Sequence, residues 1–146
     1  MDAVKIRCRD LMVGDWITNR NGFPMQITNV GEDYAYATFE GNKGDPWEFD
    51  DKDDQPQPIE ITEDILRKNN WKVQGYTLLP NEHYYIKYEG RNYLLLSQGA
   101  LSTRIACGEA NDGVFSAVTF PCKYVHQLQQ VLRLAGLMDM ANNFKV

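Results

Sequence analysis

The stretch Pro58–Trp71, PIEITEDILRKNNW, constrains the fold more than any other, because the chain changes character on either side of it. Before it run short alternating segments punctuated by glycine. After it come tyrosine- and leucine-rich runs and one long amphipathic stretch. The stretch itself spells a short helix. The Thr62 hydroxyl can cap an otherwise unpaired backbone N–H, and Glu63 and Asp64 place negative charge in the first turn, where the helix dipole favours it. Ile61 and Leu66 have the spacing of a hydrophobic staple, and Arg67 and Lys68 suit the other pole. Asn69-Asn70 supplies a residue that tolerates a left-handed stop. So short a helix is marginal alone. Ile65, Leu66 and Trp71 are therefore expected to be buried and Arg67 and Lys68 exposed, making the stretch a wedge that orients the two halves.

In the first half, Val4, Ile6 and Cys8 alternate with Lys5, Arg7 and Arg9, a period of two that predicts a half-buried strand. Gly14-Asp15 is turn chemistry and Trp16-Ile17 strand chemistry. Asn21-Gly22 is a tight-turn signal leading to Met25, Ile27 and Val30 on a return strand. Tyr34–Phe39 and Trp47–Phe49 complete a set of short strands with frequent turns, the pattern of a small bent barrel. The acidic run Asp50–Asp54 does not fit an EF-hand loop. Counted from Asp45, the glycine and glutamate positions of that loop hold Asp50 and Pro56. With Lys52 inside the run and Gln-Pro-Gln-Pro after it, the segment reads as a solvated linker.

In the second half, His83–Tyr88, Asn92–Ser97, Thr103–Cys107 and Val114–Phe120 are strand candidates, with Tyr93–Leu96 apolar on both faces and so central. Over Tyr124–Met138, residues Tyr124, Val125, Leu128, Val131, Leu132 and Ala135 fall on one side of a helix. His126, Gln129, Gln130 and Arg133 fall on the other. Such a helix, about 22 Å long, is wide enough to cover four strands. The fold class expected is therefore α+β. An N-terminal small SH3-like antiparallel β-barrel (residues 1–57) is followed by a unit of residues 58–146: short connector helix, antiparallel sheet of about four strands, and covering C-terminal amphipathic helix. The two parts either stay separate or merge into one integrated domain.

Composition restricts function more than it defines it. The net charge of −5 opposes a bulk basic footprint for nucleic acid. No apolar run is long enough to span a bilayer, and the charged N-terminus does not resemble a signal peptide. Three cysteines, Cys8, Cys107 and Cys122, lie outside any CxxC spacing and fit reduced thiols in a cytoplasmic protein.

Motifs for phosphate loops, dinucleotide sites, zinc proteases or serine hydrolases are absent. Cys122 and His126, four residues apart, are the chemically suggestive pair: a nucleophile with its base, or half a zinc site. A third group is missing from the sequence pattern in either case, and His126 then reads as an ordinary polar-face residue. Tyr76, Tyr84, Tyr85, Tyr88 and Tyr93 could stack single-stranded bases, yet aromatic residues are also ordinary strand formers.

Three phrases carry a family resemblance: Arg9-Asp10-Leu11 with Val13-Gly14-Asp15-Trp16, then Pro58–Leu66, then Lys123–Gln129, in that order. The chain resembles a large family of small uncharacterised proteins of gut Bacteroidetes and of their phages and mobile elements, marked by GDW, PIxLTxEIL and YVHQLQ phrases. It departs from that pattern at Glu60, where a proline is usual, and at Asn70-Trp71, where Gly-Phe is usual. The resemblance implies a bacterial or phage cytosolic setting and carries no activity, cofactor or catalytic residue.

The function expected is a non-enzymatic binding or adaptor protein, phage- or mobile-element-associated. It would have no cofactor and no metal, and would contact a protein partner through Gln129, Gln130, Arg133, Leu134 and Leu137. The alternatives are a nucleic-acid-binding protein using Lys5, Arg7 and Arg9, and a cysteine- or metal-dependent enzyme around Cys122 and His126.

Overall fold

The computed structural model describes residues 6–38, 45–74, 83–89, 92–98, 103–111 and 114–146. The fold is α+β, with two antiparallel meander sheets in two compact units. The first unit comprises Met1–Glu60 with Tyr124–Phe144 and Val146; the second comprises Ile61–Lys123 with Lys145. The boundary expected at residue 57 is thus displaced to 60/61, and the C-terminal helical segment groups with the first unit. The second unit is an insertion into the first. Its entry and exit run side by side at a bridge between Glu60 and Tyr124.

The first sheet has the order β1 (Trp16–Thr18), β2 (Pro24–Val30), β3 (Tyr34–Thr38), β4 (Trp47–Asp50). It is open, so the expected SH3-like barrel does not form. The outer edge of β1 is already occupied: Thr18 exchanges two 2.9 Å backbone bonds with Gln57, and the Trp16 N–H donates to the Gln129 side chain. A closing strand has no free ladder there.

One face of this sheet forms the core, with Ile17, Met25, Ile27, Ala35, Ala37 and Phe49 buried together with Ile6, Cys8 and Leu11. Cross-strand partners such as Ile17–Met25, Ile27–Ala37 and Ala35–Phe49 share that face. The inward pattern jumps from Ile27 to Val30 because a register shift lies between Ile27 and Asn29. The bulge inserts one residue and flips the alternation.

Two expectations for this half need correction. Cys8–Asp10 is a 3-10 turn rather than a strand, although Ile6 and Cys8 are buried and Arg7 and Arg9 exposed as the alternation requires. The backbone N–H of Cys8 donates to the Asp51 carboxylate instead of to a neighbouring strand. Nor is the acidic run a loose linker. Asp50 Oδ1 accepts from the backbone N–H groups of Lys52, Asp53 and Asp54, which hold its carboxyl below the usual carboxylate range. Asp54 accepts from the Trp47 indole at 2.9 Å. These carboxylates fold their own loop.

The second unit begins with α1 (Glu63–Lys68), capped by the Thr62 hydroxyl accepting from the Ile65 N–H. Asn70 ends it at φ 65°. The Asn70 N–H donates to the Arg67 carbonyl and the Trp71 N–H to the Leu66 carbonyl. That pair of bonds is a Schellman stop, completed by the burial of both Leu66 and Trp71. Ile65 is half-buried and Arg67 and Lys68 are exposed. The five-stranded sheet that follows runs β5 (Lys72–Gln74), β6 (His83–Glu89), β7 (Asn92–Gln98), β8 (Thr103–Asn111), β9 (Val114–Pro121) in sequence order. The short β5, absent from the sequence expectation, pairs Lys72–Gln74 with Ile86–Tyr84.

The last helices are α2 (Val125–Leu134) and α3 (Met138–Asn142). The helix expected to continue to Met138 stops at Leu134, because Gly136 takes φ 82° and its N–H and that of Leu137 close on the Arg133 and Leu132 carbonyls. Leu128, Leu132 and Val125 are fully buried, and α2 is docked against β1 of the first unit.

Candidate functional site

The polar side of α2 is where structure and expectation diverge most. Gln129, Gln130 and Arg133 were expected on a contact surface. Gln129 and Arg133 are instead buried, and Gln130 is half-buried. The reason is the backbone of the segment before β1, which offers groups that need partners in a place water does not reach. Gln129 Oε1 accepts from the Trp16 N–H at 2.8 Å, and its Nε2 donates to the carbonyls of Gly14 at 2.8 Å and Ala141 at 3.0 Å. One side-chain amide thereby mimics a neighbouring strand along β1. Gln130 Nε2 donates to the Asp10 carbonyl and to Asp15 Oδ2. Of the other expected contact residues, Leu134 is 78% exposed and Leu137 half-buried.

Asp15 is the hub of this seam. It has no exposed surface, and it accepts from the Met12 N–H, from Gln130, and from Arg133 NH1 at 2.5 Å. Arg133 is nearly as enclosed, its side chain being 5% exposed. Its Nε and NH2 are buried and make no hydrogen bond among the described residues. Gly14 stands directly over this guanidinium. It adopts φ 95°, and a Cβ added there would lie 3.0 Å from Arg133 NH2 and 3.1 Å from Asn142 Oδ1. Only glycine meets both demands, the left-handed backbone and the close approach.

Above the seam lies a groove of about 710 Å³. Met12, Val13 and Gly14 form one wall, Ile27 and Thr28 of β2 another, and Met138 and Asn142 of α3 a third, with Arg133 between them. Met12, Val13 and Met138 are 44%, 59% and 49% exposed, so three large apolar side chains border one concavity. Among the described residues, Arg133 is the sole ionisable side chain in the lining.

The other sequence candidates are arranged differently. His126 is buried, stacked on Tyr124 with centroids 6.0 Å apart and planes within 11°, and its Nδ1 has no hydrogen-bond partner among the described residues. A catalytic base needs an orienting partner at that atom. Cys122 is buried and belongs to the second unit, whereas His126 belongs to the first. Cys8, another buried thiol, is pushed up to about 12 by burial and then by the Asp51 carboxylate, so it stays protonated and unreactive. Among the described residues, no three histidine, cysteine or acidic side chains cluster as metal ligands. Arg7 and Arg9 are exposed, but they line a polar depression with Glu32, Asp33 and Asp51, which offset their charge. Lys5 and Tyr76 lie outside the described residues, as do the side chains of Tyr84, Tyr85, Tyr88, Tyr93 and Cys107.

Burial holds the His126 imidazole below its ordinary value of 6.5, with the charge of Asp15 opposing the shift. The folded state therefore resists protonation that the unfolded chain accepts. Above about pH 6.5 the residue is neutral in both states and costs nothing. As pH falls from there towards the lowered folded value, the first unit loses stability. His126→Phe, which keeps the ring stack, is expected to flatten the decline in melting temperature between about pH 7.5 and pH 5 relative to the parent. Parallel slopes for the two proteins would contradict it.

Among the described residues no helix is long and apolar enough to cross a membrane. No protein-family model, curated protein or solved structure matches the chain.

Proposed function

We propose that the protein is a non-enzymatic binding or adaptor module whose ligand site is the groove of the first unit, and that it works in the bacterial or phage cytosol suggested by the family resemblance. The carrying observation is the convergence of half-exposed Met12, Val13 and Met138 on one concavity. Large apolar side chains gathered around a pocket of this size mark recognition sites, and methionines adapt to varied ligand shapes. The lining also favours binding over catalysis. Among the described residues of the lining, Arg133 is the one ionisable side chain, and no carboxylate, histidine or cysteine stands there as a general acid or base.

Methionine-methyl NMR tests this reading. In a screen of small apolar fragments, the Met12 and Met138 methyl signals are expected to shift together, while that of fully buried Met25 stays fixed. Val13→Glu, on the exposed rim, should abolish the response. Fragments that bind without moving either methyl, or no binding fragment at all, would overturn the assignment of the groove.

A further inference from the structure

We propose that Asn21-Gly22, in the turn between β1 and β2, is a spontaneous modification site. Its side-chain amide is converted through a cyclic imide to aspartate and isoaspartate, with water as co-reactant, and Asn19 is the positioning residue that restrains the reaction while the protein is folded.

The chemistry belongs to two neighbouring groups. The backbone nitrogen of Gly22 attacks Asn21 Cγ and forms an N–Cγ bond. The Cγ–Nδ2 bond breaks, and ammonia leaves with the proton given up by the Gly22 nitrogen. Water then adds to one of the two imide carbonyls. Cleavage at Cγ gives aspartate, and cleavage at the main-chain carbonyl gives isoaspartate, whose backbone runs through Cβ and Cγ. Nothing is oxidised or reduced, and the side-chain NH2 is exchanged for the OH of water.

The first ground is access. Asn21 is the only asparagine in the sequence that is followed by glycine. A side chain on the following residue screens the attacking nitrogen, and at Gly22 even an added Cβ would meet nothing within 4 Å. Arg20, Asn21, Gly22 and Phe23 are all exposed, so water reaches the turn. Asn29, Asn70 and Asn143 are exposed too, but bulky Val30, Trp71 and Phe144 follow them.

The second ground is the restraint. Asn19 is only 2% exposed, and it ties down the backbone on both sides of the reacting bond. Its carbonyl accepts from the Gly22 N–H at 3.0 Å. Its Oδ1 accepts from the N–H groups of Asn21 at 2.9 Å and Phe23 at 3.0 Å, and its own N–H donates to the Phe23 carbonyl at 3.1 Å. The first of these bonds occupies the attacking nitrogen itself. Ring closure has to break it and bring that nitrogen over Asn21 Cγ, a near-attack geometry that the bonds at Asn21 and Phe23 oppose. The reaction therefore proceeds from the locally opened turn. Its isoaspartyl product puts an extra main-chain carbon into the turn that sets the Thr18–Pro24 register.

Incubation of the full chain in heavy-oxygen water at neutral pH, followed by peptide mapping with fragmentation, tests the proposal. Label is expected at residue 21 ahead of every other asparagine, as both aspartate and isoaspartate. Unfolding the parent in urea should speed its appearance about tenfold or more. Asn19→Ala removes the two Oδ1 bonds and should speed the folded protein about tenfold. Asn19→Asp keeps an acceptor for both and should react near the parent rate, and in urea all three proteins should react alike. Label at residue 21 no earlier than at the other asparagines of the unfolded chain would overturn the site. Equal rates for the folded and urea-unfolded parent would overturn the restraint, a comparison that stands even where Asn19→Ala does not fold. A folded Asn19→Ala reacting at the parent rate, or Asn19→Asp accelerating as much as Asn19→Ala, would overturn the part assigned to Asn19.

Discussion

Asp15→Ala is expected to destabilise the first unit by about 3–5 kcal/mol, because it leaves the Arg133 guanidinium buried without its counter-charge. The same change removes the acceptor used by the Met12 N–H and Gln130, so three donors lose their partner together. The diagnostic control is a double variant. Asp15→Asn with Arg133→Met keeps an oxygen for Met12 and Gln130 and removes both charges, and it should recover much of the loss. Breaking one half of a buried pair is costly, whereas replacing both halves is often nearly neutral. Urea unfolding followed by the NMR signal of the Trp16 indole, which donates to the Phe144 carbonyl at 2.7 Å, reads this unit locally. A single variant that loses less than about 1 kcal/mol would show the pair to be a surface-like contact.

What could be read from the sequence was whatever is decided locally. Thr62 and Asn70 write the start and stop of α1 because capping involves backbone groups within one turn. The strands from His83 to Pro121 follow from composition and turn spacing. The Asn21-Gly22 turn between β1 and β2 is local in the same way. The seam was hidden for the opposite reason. Gln129, Gln130 and Arg133 bond to groups 113 to 120 positions away, and many of these partners are backbone atoms with no sequence signature. On a helical wheel such residues look like a solvent face. One signal was available: Gln129 and Arg133 stand four apart, on one stripe of α2, and Gly14-Asp15 reads as a turn that needs donors. Amphipathicity assigns a helix an apolar face but not an address, and this helix groups with the first sixty residues. The barrel expectation failed similarly. Short strands with frequent turns describe closed barrels and open meanders alike, and what decides here is the long-range occupation of the β1 edge by Gln57 and Gln129.

Leu128→Asp is expected to unfold the first unit and to spare the second. Leu128 has no exposed surface, lies one turn from Leu132, and belongs to the helix docked on β1. A carboxylate at that position is either charged and unpaired or forced to take up a proton. With the lost apolar burial, the penalty is about 4–5 kcal/mol or more, a large fraction of the stability of a small domain. The Gln129 and Arg133 bonds depend on the same helix, so the seam and the groove above it should be lost in one step. Hydrogen exchange separates the outcomes. Amides of β1, β2, β3 and α2 are expected to lose protection, while those paired between β7 and β8 keep theirs, since Asn92–Gln98 and Thr103–Glu109 belong to a unit that does not include α2. Equal loss of protection in both sheets would show that the insertion relies on the first unit to fold. Loss confined to β6–β9 would show that α2 serves the second sheet, and would remove the basis for the Asp15–Arg133 seam.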